Sequence, residues 1–239
     1  MASNLIKSCC YQGFKHHGEP KGSIFLVDDI EVYTSHPQDR SAEYGLLILT
    51  DIIGHRFINA QVIADQFADH GYFVMMPDLF NGDAVPLNKP GGFYMGKWRT
   101  GGYHPQGKNH LPETVDPIKI GAVGYCFGGK YVVRPLAPGR VDVAFTAHPS
   151  HIDEGELKDI QGPLAIAAAE YDKIFPAEKR RATEAILRET RFPYQVNLYS
   201  GVSHGFGVRG DPTNCEVRFA MRSTFFQAVE WFNHYMKQE

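Results

Sequence analysis

The chain has 239 residues, of which 43% are hydrophobic and 21% charged, and its net charge is −3. This composition is ordinary for a soluble globular protein, and the length suits one α/β domain, so we expect a single domain over residues 1–239. The chain has no basic excess to neutralise phosphates, which argues against nucleic-acid binding. No apolar run approaches the roughly 20 residues of a membrane span. The polar N-terminus is also unlike a signal peptide, so we expect a cytosolic protein without membrane contact.

The first half of the chain predicts a βαβ pattern. Residues 24–34 alternate loosely around a turn, which suggests an edge hairpin. Residues 44–50, with the sequence YGLLILT, form the continuous apolar run that a central parallel strand needs. Residues 59–70 then predict a helix, and residues 72–76 predict the next strand.

Residues 81–117 are rich in glycine and proline and show no helical period. A loop of this length in a compact domain is usually a lid, a binding loop or disorder. Trp98 is one of several aromatic residues that would suit a lid over an apolar substrate, and Arg99 could bind an anionic group. An ordinary surface loop explains the composition equally well.

Residues 118–129, IKIGAVGYCFGG, predict a buried strand that enters a sharp turn. Gly124, Cys126 and Gly128 form G-x-C-x-G, the cysteine version of a nucleophile elbow. The next helix, starting near Phe127, would direct N–H groups and its dipole at the sulfur and lower the thiol pKa. Cys126 is therefore the candidate nucleophile, and the alternative is a buried cysteine in a βα turn. The glycine spacing fits neither a phosphate loop nor a dinucleotide fingerprint, and we expect no cofactor.

The second half of the chain predicts further alternation of strands and helices. Phe219, Phe226, Val229 and Trp231 are candidate packing residues of the final helix. The predicted elements span residues 130–136 (helix), 141–148 and 164–169 (strands), 176–190 (helix), 194–199 (strand) and 215–237 (helix).

Cys126, Asp172 and His204 follow three of the predicted strands in this order. The order of nucleophile, acid and histidine is the one found in α/β-hydrolases. His204 would hold or remove the thiol proton and later protonate the leaving group, and Asp172 would fix the imidazole tautomer. Glu170 could take the place of Asp172, and His204 could be an ordinary loop histidine.

A transition-state oxyanion would need backbone donors beside Cys126. The N–H groups of Phe127 and of a residue after the 44–50 strand, for which Ile52 is the candidate, would form this oxyanion hole. Each such donor is typically worth about 3 kcal/mol.

The other cysteines and histidines carry weaker signals. Four cysteines are too few and too scattered for a disulfide framework or a zinc site, and we expect no metal. Cys9 and Cys10 could be a redox or metal pair, but a partly buried N-terminal arm in a reducing compartment is the preferred interpretation. His148 and His151 are interpreted as loop or core residues.

The sequence resembles the dienelactone hydrolase family in GYCFGG around Cys126, in AIAAAEYD before and including Asp172, in HGF at His204 and in TDIIG at residues 50–54. The CC and HxGxPxG pattern in residues 9–22 resembles fungal members of that family. The resemblance implies the α/β-hydrolase fold, with a mostly parallel central sheet and helices on both faces. It also implies a cofactor-independent hydrolase that acts on a small-molecule lactone, ester or thioester through an acyl-cysteine intermediate. We expect a monomer or weak dimer.

The same resemblance assigns roles to two further residues. Asp51 occupies the position of a glutamate that pairs with the resting cysteine, which implies that Asp51 receives the thiol proton or gates the nucleophile. Arg209 lies one residue beyond the expected position of an arginine that holds a substrate carboxylate.

The connection before Cys126 departs from the family pattern. Relatives carry a helix of about four turns there, as a βαβ crossover requires, whereas residues 115–117 run almost directly into Ile118. We therefore expect a shortened crossover. This departure favours an alternative function, a catalytically degenerate or redox-sensing protein in which Cys126 is oxidised reversibly.

Overall fold

The structure is a computed structural model that describes residues 1–89 and 117–237. Trp98, Arg99 and the shortened crossover lie outside the described residues, so the roles expected for them stay predictions from the sequence.

Eight strands form one sheet in the order β1-β2-β4-β3-β5-β6-β7-β8. The first two strands pair antiparallel with each other, and β2 pairs antiparallel with β4, while β3 to β8 are mutually parallel. The predicted α/β fold with a mostly parallel sheet is therefore confirmed. The strands are β1 (Ser23–Val27), β2 (Ile30–Ser35), β3 (Tyr44–Leu49), β4 (Phe73–Pro77), β5 (Lys119–Tyr125), β6 (Val143–Ala147), β7 (Leu164–Tyr171) and β8 (Tyr194–Ser203).

The first and last helices pack against each other. The rings of Phe67 in the first helix and Phe225 in the last helix lie 4.8 Å apart. The helices are α1 (Ile58–Asp69), α2 (Gly128–Leu136), α3 (Glu154–Lys158), α4 (Ala177–Glu189), α5 (Phe206–Arg209) and α6 (Cys215–Met236), and a 3₁₀ turn spans Ser8–Cys10.

Two glycines of β5 show that helices cover both faces of the sheet. A Cβ atom at Gly121 would lie 2.8 Å from the ring of Phe232 in α6, whereas one at Gly124 would run into Val132 in α2. Residues three apart in a strand point to opposite faces. Helices α6 and α2 therefore lie on opposite faces, and β5, the strand that precedes Cys126, is enclosed between them.

Most predicted elements match the structure within two residues, but three details differ. Helices α3 and α5 are not predicted, because five and four residues are too short to show a helical period. Phe219 and Phe226 are 69% and 41% exposed, so their predicted packing role is wrong, whereas Val229 and Trp231 are buried as expected. The last strand continues to Ser203, past the predicted end.

The described helices give no sign of a membrane span. None of the helices within residues 1–89 and 117–237 combines the length and the apolar character needed to cross a bilayer. The cytosolic compartment stays a prediction from the sequence.

Candidate active site

Cys126 lies at the apex of the turn between β5 and α2. Its φ of 50° is in the left-handed region, which a non-glycine residue adopts only when the surroundings enforce it. A Cβ atom at Gly124 would approach the carbonyl oxygen of Gly128 to 2.7 Å, and one at Gly128 would overlap the carbonyl group of Leu49. The two glycines of the motif are thus required by the close approach of the turn to its neighbours.

Backbone hydrogen bonds tie this turn to both adjacent strand ends. The N–H of Cys126 donates to Ala147 O (3.2 Å), and Cys126 O accepts from the N–H of Ser150 (2.8 Å). The N–H of Gly128 donates to Thr50 O (3.0 Å). The carboxyl ends of β3, β5 and β6 are thereby fixed around the Cys126 sulfur.

The structure brings Cys126, His204 and Asp172 into one line of contacts. His204 Nε2 lies 3.1 Å from Cys126 Sγ, and His204 Nδ1 lies 3.0 and 2.9 Å from the two carboxylate oxygens of Asp172. Asp172 Oδ1 also accepts from the N–H groups of Ile174 (2.7 Å) and Phe175 (3.0 Å). These two bonds fix the carboxylate that orients the imidazole.

Glu170, the alternative acid, points elsewhere. Its carboxylate accepts hydrogen bonds from Ser200 Oγ (2.9 Å) and from the N–H of Gly201 (2.8 Å) at an exposed position. Asp172 is therefore the acid in contact with His204.

At all three residues, burial and the neighbouring groups shift the pKa in opposite directions. Burial raises the pKa of the Cys126 thiol, but the hydrogen bond from Cys10 and the charge of His204 outweigh it and lower that pKa well below its usual value. Burial lowers the pKa of His204, but Cys126 and Asp172 raise it above its usual range. Burial also raises the pKa of Asp172, and His204 more than reverses that effect. These shifts favour the thiolate form of Cys126 and the imidazolium form of His204, next to the Asp172 carboxylate.

The two predicted oxyanion donors lie in the segments that follow β5 and β3. Phe127 directly follows Cys126, and Ile52 is a buried residue just beyond β3. Within the part of the chain that the structure describes, the N–H groups of Phe127 and Ile52 make no hydrogen bond. Their role as oxyanion donors stays a prediction.

Asp51 and Arg209 form a buried ion pair beside the site. Asp51 also accepts from the N–H of Ile53 (3.0 Å), and none of its hydrogen bonds to described residues goes to Cys126. Arg209 donates from Nε to Gln12 O (3.0 Å) and from Nη2 to Cys9 O (3.2 Å). The gating role of Asp51 and the carboxylate-binding role of Arg209 stay predictions, since in this structure each side chain binds the other.

Cys10 also lies at this site, where the sequence did not predict it. It is fully buried, and its Sγ lies 3.5 Å from His204 Nε2. The sulfur atoms of Cys10 and Cys126 and the His204 nitrogen all lie within 4.8 Å of one another. The expectation that the cysteines are too few and too scattered for a disulfide framework or a zinc site did not include this proximity of Cys10 to Cys126. The CC pattern of the fungal resemblance was the one available signal, and it carries no information on distance.

His148 is a second unforeseen neighbour. Its ring centroid lies 5.1 Å from that of His204, and burial holds the pKa of His148 well below its usual value. Neither ring nitrogen of His148 has a hydrogen-bond partner among the described residues. The interpretation of His148 as a loop or core residue is confirmed by its burial, and its ring packs against one side of His204.

Comparisons of the sequence and of the fold with known proteins point to the same group of hydrolases. Residues 30–236 match the model of the dienelactone hydrolase family. The hydrolase tropI of Talaromyces stipitatus is 72% identical, and the hydrolase pyvD of Aspergillus violaceofuscus is 45% identical, each over 100% of both chains. A dienelactone hydrolase structure from Anabaena variabilis superposes with a TM-score of 0.62 at 14% identity, covering 92% of this chain and 99% of that one.

The alignments to the two fungal relatives extend over 254 and 253 positions, compared with the 239 residues of this chain. Each alignment therefore places gaps in this chain, 254 − 239 = 15 positions in the first and 253 − 239 = 14 in the second. A shortened crossover would produce such a gap.

Proposed function

We propose that this chain, which belongs to the dienelactone hydrolase family, is a hydrolase that opens a small-molecule lactone, ester or thioester through an acyl-cysteine intermediate. The observation that carries the proposal is the continuous contact from Cys126 Sγ to His204 Nε2 and from His204 Nδ1 to Asp172. A positioned thiolate, a proton donor and an orienting acid are the groups that nucleophilic acyl transfer needs.

In the acylation step the Cys126 thiolate attacks the substrate carbonyl carbon. The negative charge moves to the carbonyl oxygen, where the N–H groups of Phe127 and Ile52 stabilise it. When the tetrahedral intermediate collapses, the carbon–oxygen or carbon–sulfur bond of the substrate breaks, and His204 gives its Nε2 proton to the leaving group. The products are a thioester on Cys126 and a neutral His204.

In the deacylation step the neutral His204 removes a proton from a water molecule as that water attacks the thioester. The sulfur leaves as a thiolate, and the acid product takes up the added hydroxyl group. Asp172 stabilises the imidazolium that is restored at this point. The cycle ends with the thiolate–imidazolium pair with which it began, and it uses no cofactor.

The nature of the nucleophile narrows the substrate class. A thiolate attacks well near neutral pH, but it also leaves easily from the tetrahedral intermediate. Activated acyl groups such as lactones, phenyl esters and thioesters suit it better than amides. We further propose that the protein works on such small molecules, without nucleic acid or membrane, as a monomer or weak dimer.

A second candidate function is redox sensing by Cys126. The specific observation in its favour is the buried Cys10 sulfur within 4.8 Å. Hydrogen peroxide would oxidise the Cys126 thiolate to a sulfenic acid with release of hydroxide, and the Cys10 thiol would then displace water to form a disulfide. Both sulfur atoms end oxidised, and the peroxide is the oxidant.

The first experiment compares the wild type with Cys126→Ala on a short-chain p-nitrophenyl ester and on a dienelactone. We expect turnover to fall by about 10⁴-fold or more in the variant, and mass spectrometry to detect an acyl adduct on wild-type Cys126. Cys215→Ala is the matched control, because Cys215 is exposed and lies at the start of α6. A folded wild type with neither turnover nor adduct would refute the hydrolase proposal for these substrates. Labelling of Cys126 by a sulfenic-acid probe after peroxide treatment would then support redox sensing.

A further inference from the structure

The geometry points to a second use of this site: we infer that Cys10, Cys126 and His204 together bind a thiophilic divalent metal ion such as Zn²⁺. Each residue offers one ligand atom, and the three atoms lie within 4.8 Å of one another in a buried cluster. Soft thiolate and imidazole ligands are the set that Zn²⁺ prefers. The inference rests on these side chains and goes beyond the hydrolytic function proposed above.

The distances between the ligand atoms are close to those of a metal site. With Zn–S bonds of about 2.3 Å and Zn–N bonds of about 2.05 Å, tetrahedral geometry places S and N about 3.6 Å apart and two sulfurs about 3.8 Å apart. His204 Nε2 lies 3.1 Å from Cys126 Sγ and 3.5 Å from Cys10 Sγ. A small rotation of the two cysteine side chains would bring all three ligands to the coordination distance.

Asp172 provides the support that metal-binding histidines usually have. Its carboxylate receives His204 Nδ1 at 2.9 Å, so that Nε2 faces both sulfur atoms. This carboxylate–histidine–metal arrangement fixes the tautomer and makes the ring a better ligand. The site therefore contains both its ligands and the group that orients one of them.

The N-terminal arm holds Cys10 in place through contacts that do not involve the catalytic residues. Ser3 Oγ accepts from the N–H of Ile152 (2.8 Å), the N–H of Asn4 donates to Ile174 O (2.7 Å), and Arg209 Nη2 donates to Cys9 O (3.2 Å). A ligand held on an ordered backbone loses little conformational freedom when the metal binds. In the proposed hydrolytic cycle the Cys10 sulfur forms no bond to the substrate.

Charge balance favours a divalent ion. Two thiolates and a neutral imidazole cancel a charge of +2, which matters because all three side chains are buried. Binding releases the protons of the Cys10 thiol and of the His204 imidazolium to solvent. The three protein ligands leave a fourth position for water or another small ligand.

A bound metal ion would coordinate both the nucleophile, Cys126, and the proton donor, His204. It would therefore block acyl transfer, and its removal by a chelator would restore the free thiolate and imidazolium. The protein would then be a hydrolase that a metal ion inhibits reversibly.

The test measures metal binding directly, with Co²⁺ as a spectroscopic substitute for Zn²⁺ and a phosphine reductant present throughout. We expect one Co²⁺ per chain with a thiolate-to-cobalt charge-transfer band, and displacement of Co²⁺ by Zn²⁺. Cys10→Ser should weaken binding at least about 100-fold, since loss of an outer-shell partner alone costs 10- to 100-fold. Cys9→Ser is the matched control, because Cys9 is the adjacent thiol and is not one of the three clustered ligands. It should bind as the wild type does.

Two further measurements make the result decisive. Cys10→Ala replaces Cys10→Ser if the buried hydroxyl prevents folding, as judged by circular dichroism. Zn²⁺ should inhibit hydrolysis by the wild type, and addition of EDTA should reverse this inhibition. With each protein compared to its own metal-free rate, Cys10→Ala should need at least about 100-fold more Zn²⁺ for the same inhibition.

Equal Zn²⁺ affinity in the wild type and the Cys10 variants would refute the site. So would inhibition that the phosphine prevents and EDTA does not reverse, because that behaviour identifies a disulfide. Cobalt binding needs no turnover, so a failure of the hydrolase proposal would be recognised separately.

Discussion

Two regions of the molecule each deliver a buried cysteine to His204, and they do so by different means. The Cys126 turn, residues 124–128, sets its cysteine by local backbone geometry, with a positive φ and two glycines packed against neighbouring backbone. The N-terminal arm, residues 1–22, positions Cys10 by hydrogen bonds to loops that are distant in sequence. The first arrangement can be recognised in a five-residue pattern, and the second becomes visible only when the chain is folded.

The largest expected effect tests whether hydrolysis depends on the contact of Asp172 with His204 or only on negative charge near the Cys126 turn. Asp172→Asn should lower hydrolysis by about 10²- to 10⁴-fold, because the amide no longer stabilises the imidazolium. Asp172 raises the pKa of His204, so its loss lowers that pKa and the imidazolium is lost at a lower pH. Because the charge of His204 lowers the pKa of the Cys126 thiol, the thiolate then forms only at a higher pH. The rate of the variant should therefore recover in part as pH rises. The measurement is a pH profile of kcat/KM on an activated ester.

Glu170→Gln is the matched control for that profile. Glu170 lies two residues before Asp172 and contacts Ser200 and Gly201 at the surface. Its variant should stay within about twofold of the wild type at every pH, since surface substitutions change little. An equal loss in both variants would mean that general negative charge, and not the Asp172 contact, supports the site.

The next prediction tests whether close contact with neighbouring backbone confines the Cys126 turn. Gly128→Ala places a methyl group on the carbonyl of Leu49, and we expect the free energy of unfolding to fall by about 3 kcal/mol. Gly155→Ala, at an exposed position in α3, meets only the Asp153 side chain and should change stability by about 1 kcal/mol at most. Urea denaturation measures both variants. A Gly128→Ala protein as stable as the wild type would show that the neighbouring strand yields easily and that the turn is not confined by it.

The same contrast explains how much of the fold was predictable from the sequence. The apolar runs that became β3, β5, β6 and β7 are buried on both faces, so hydrophobicity alone marks them. Phe219 and Phe226 were misassigned because a helix of 22 residues has more apolar positions than one buried face can hold. Helices of four and five residues leave no period to detect.

The site was predictable to the extent that it lies at the ends of parallel strands. Cys126, Asp172 and His204 follow β5, β7 and β8, and the sheet order brings those ends together. Cys10 precedes the first strand, and His148 is one histidine among eleven. The position of Cys10 depends on the path of the N-terminal arm, which no short pattern encodes. His148 directly follows β6, but nothing in the sequence singles it out as a neighbour of His204.

The smallest expected effect tests the bonds that hold the arm. Asn59 is buried; its Oδ1 accepts from the N–H of His16 (2.8 Å), and its Nδ2 donates to Phe14 O (2.9 Å) and Val208 O (2.8 Å). Asn59→Ala leaves these groups without a partner, so we expect a loss of about 1–3 kcal/mol in the free energy of unfolding. Native-state alkylation of Cys10, followed by mass spectrometry, should become faster as the arm loosens.

Asn88→Ala provides the comparison, because Asn88 bonds to the N–H and O of Gly13 at an exposed position where water can replace it. We expect this variant to lose about 1 kcal/mol or less and to leave Cys10 as protected as in the wild type. If both variants expose Cys10 equally, the arm is held as a whole and not by its buried amide. If neither does, the contacts of Ser3 and Asn4 near the chain start suffice to keep the second cysteine beside His204.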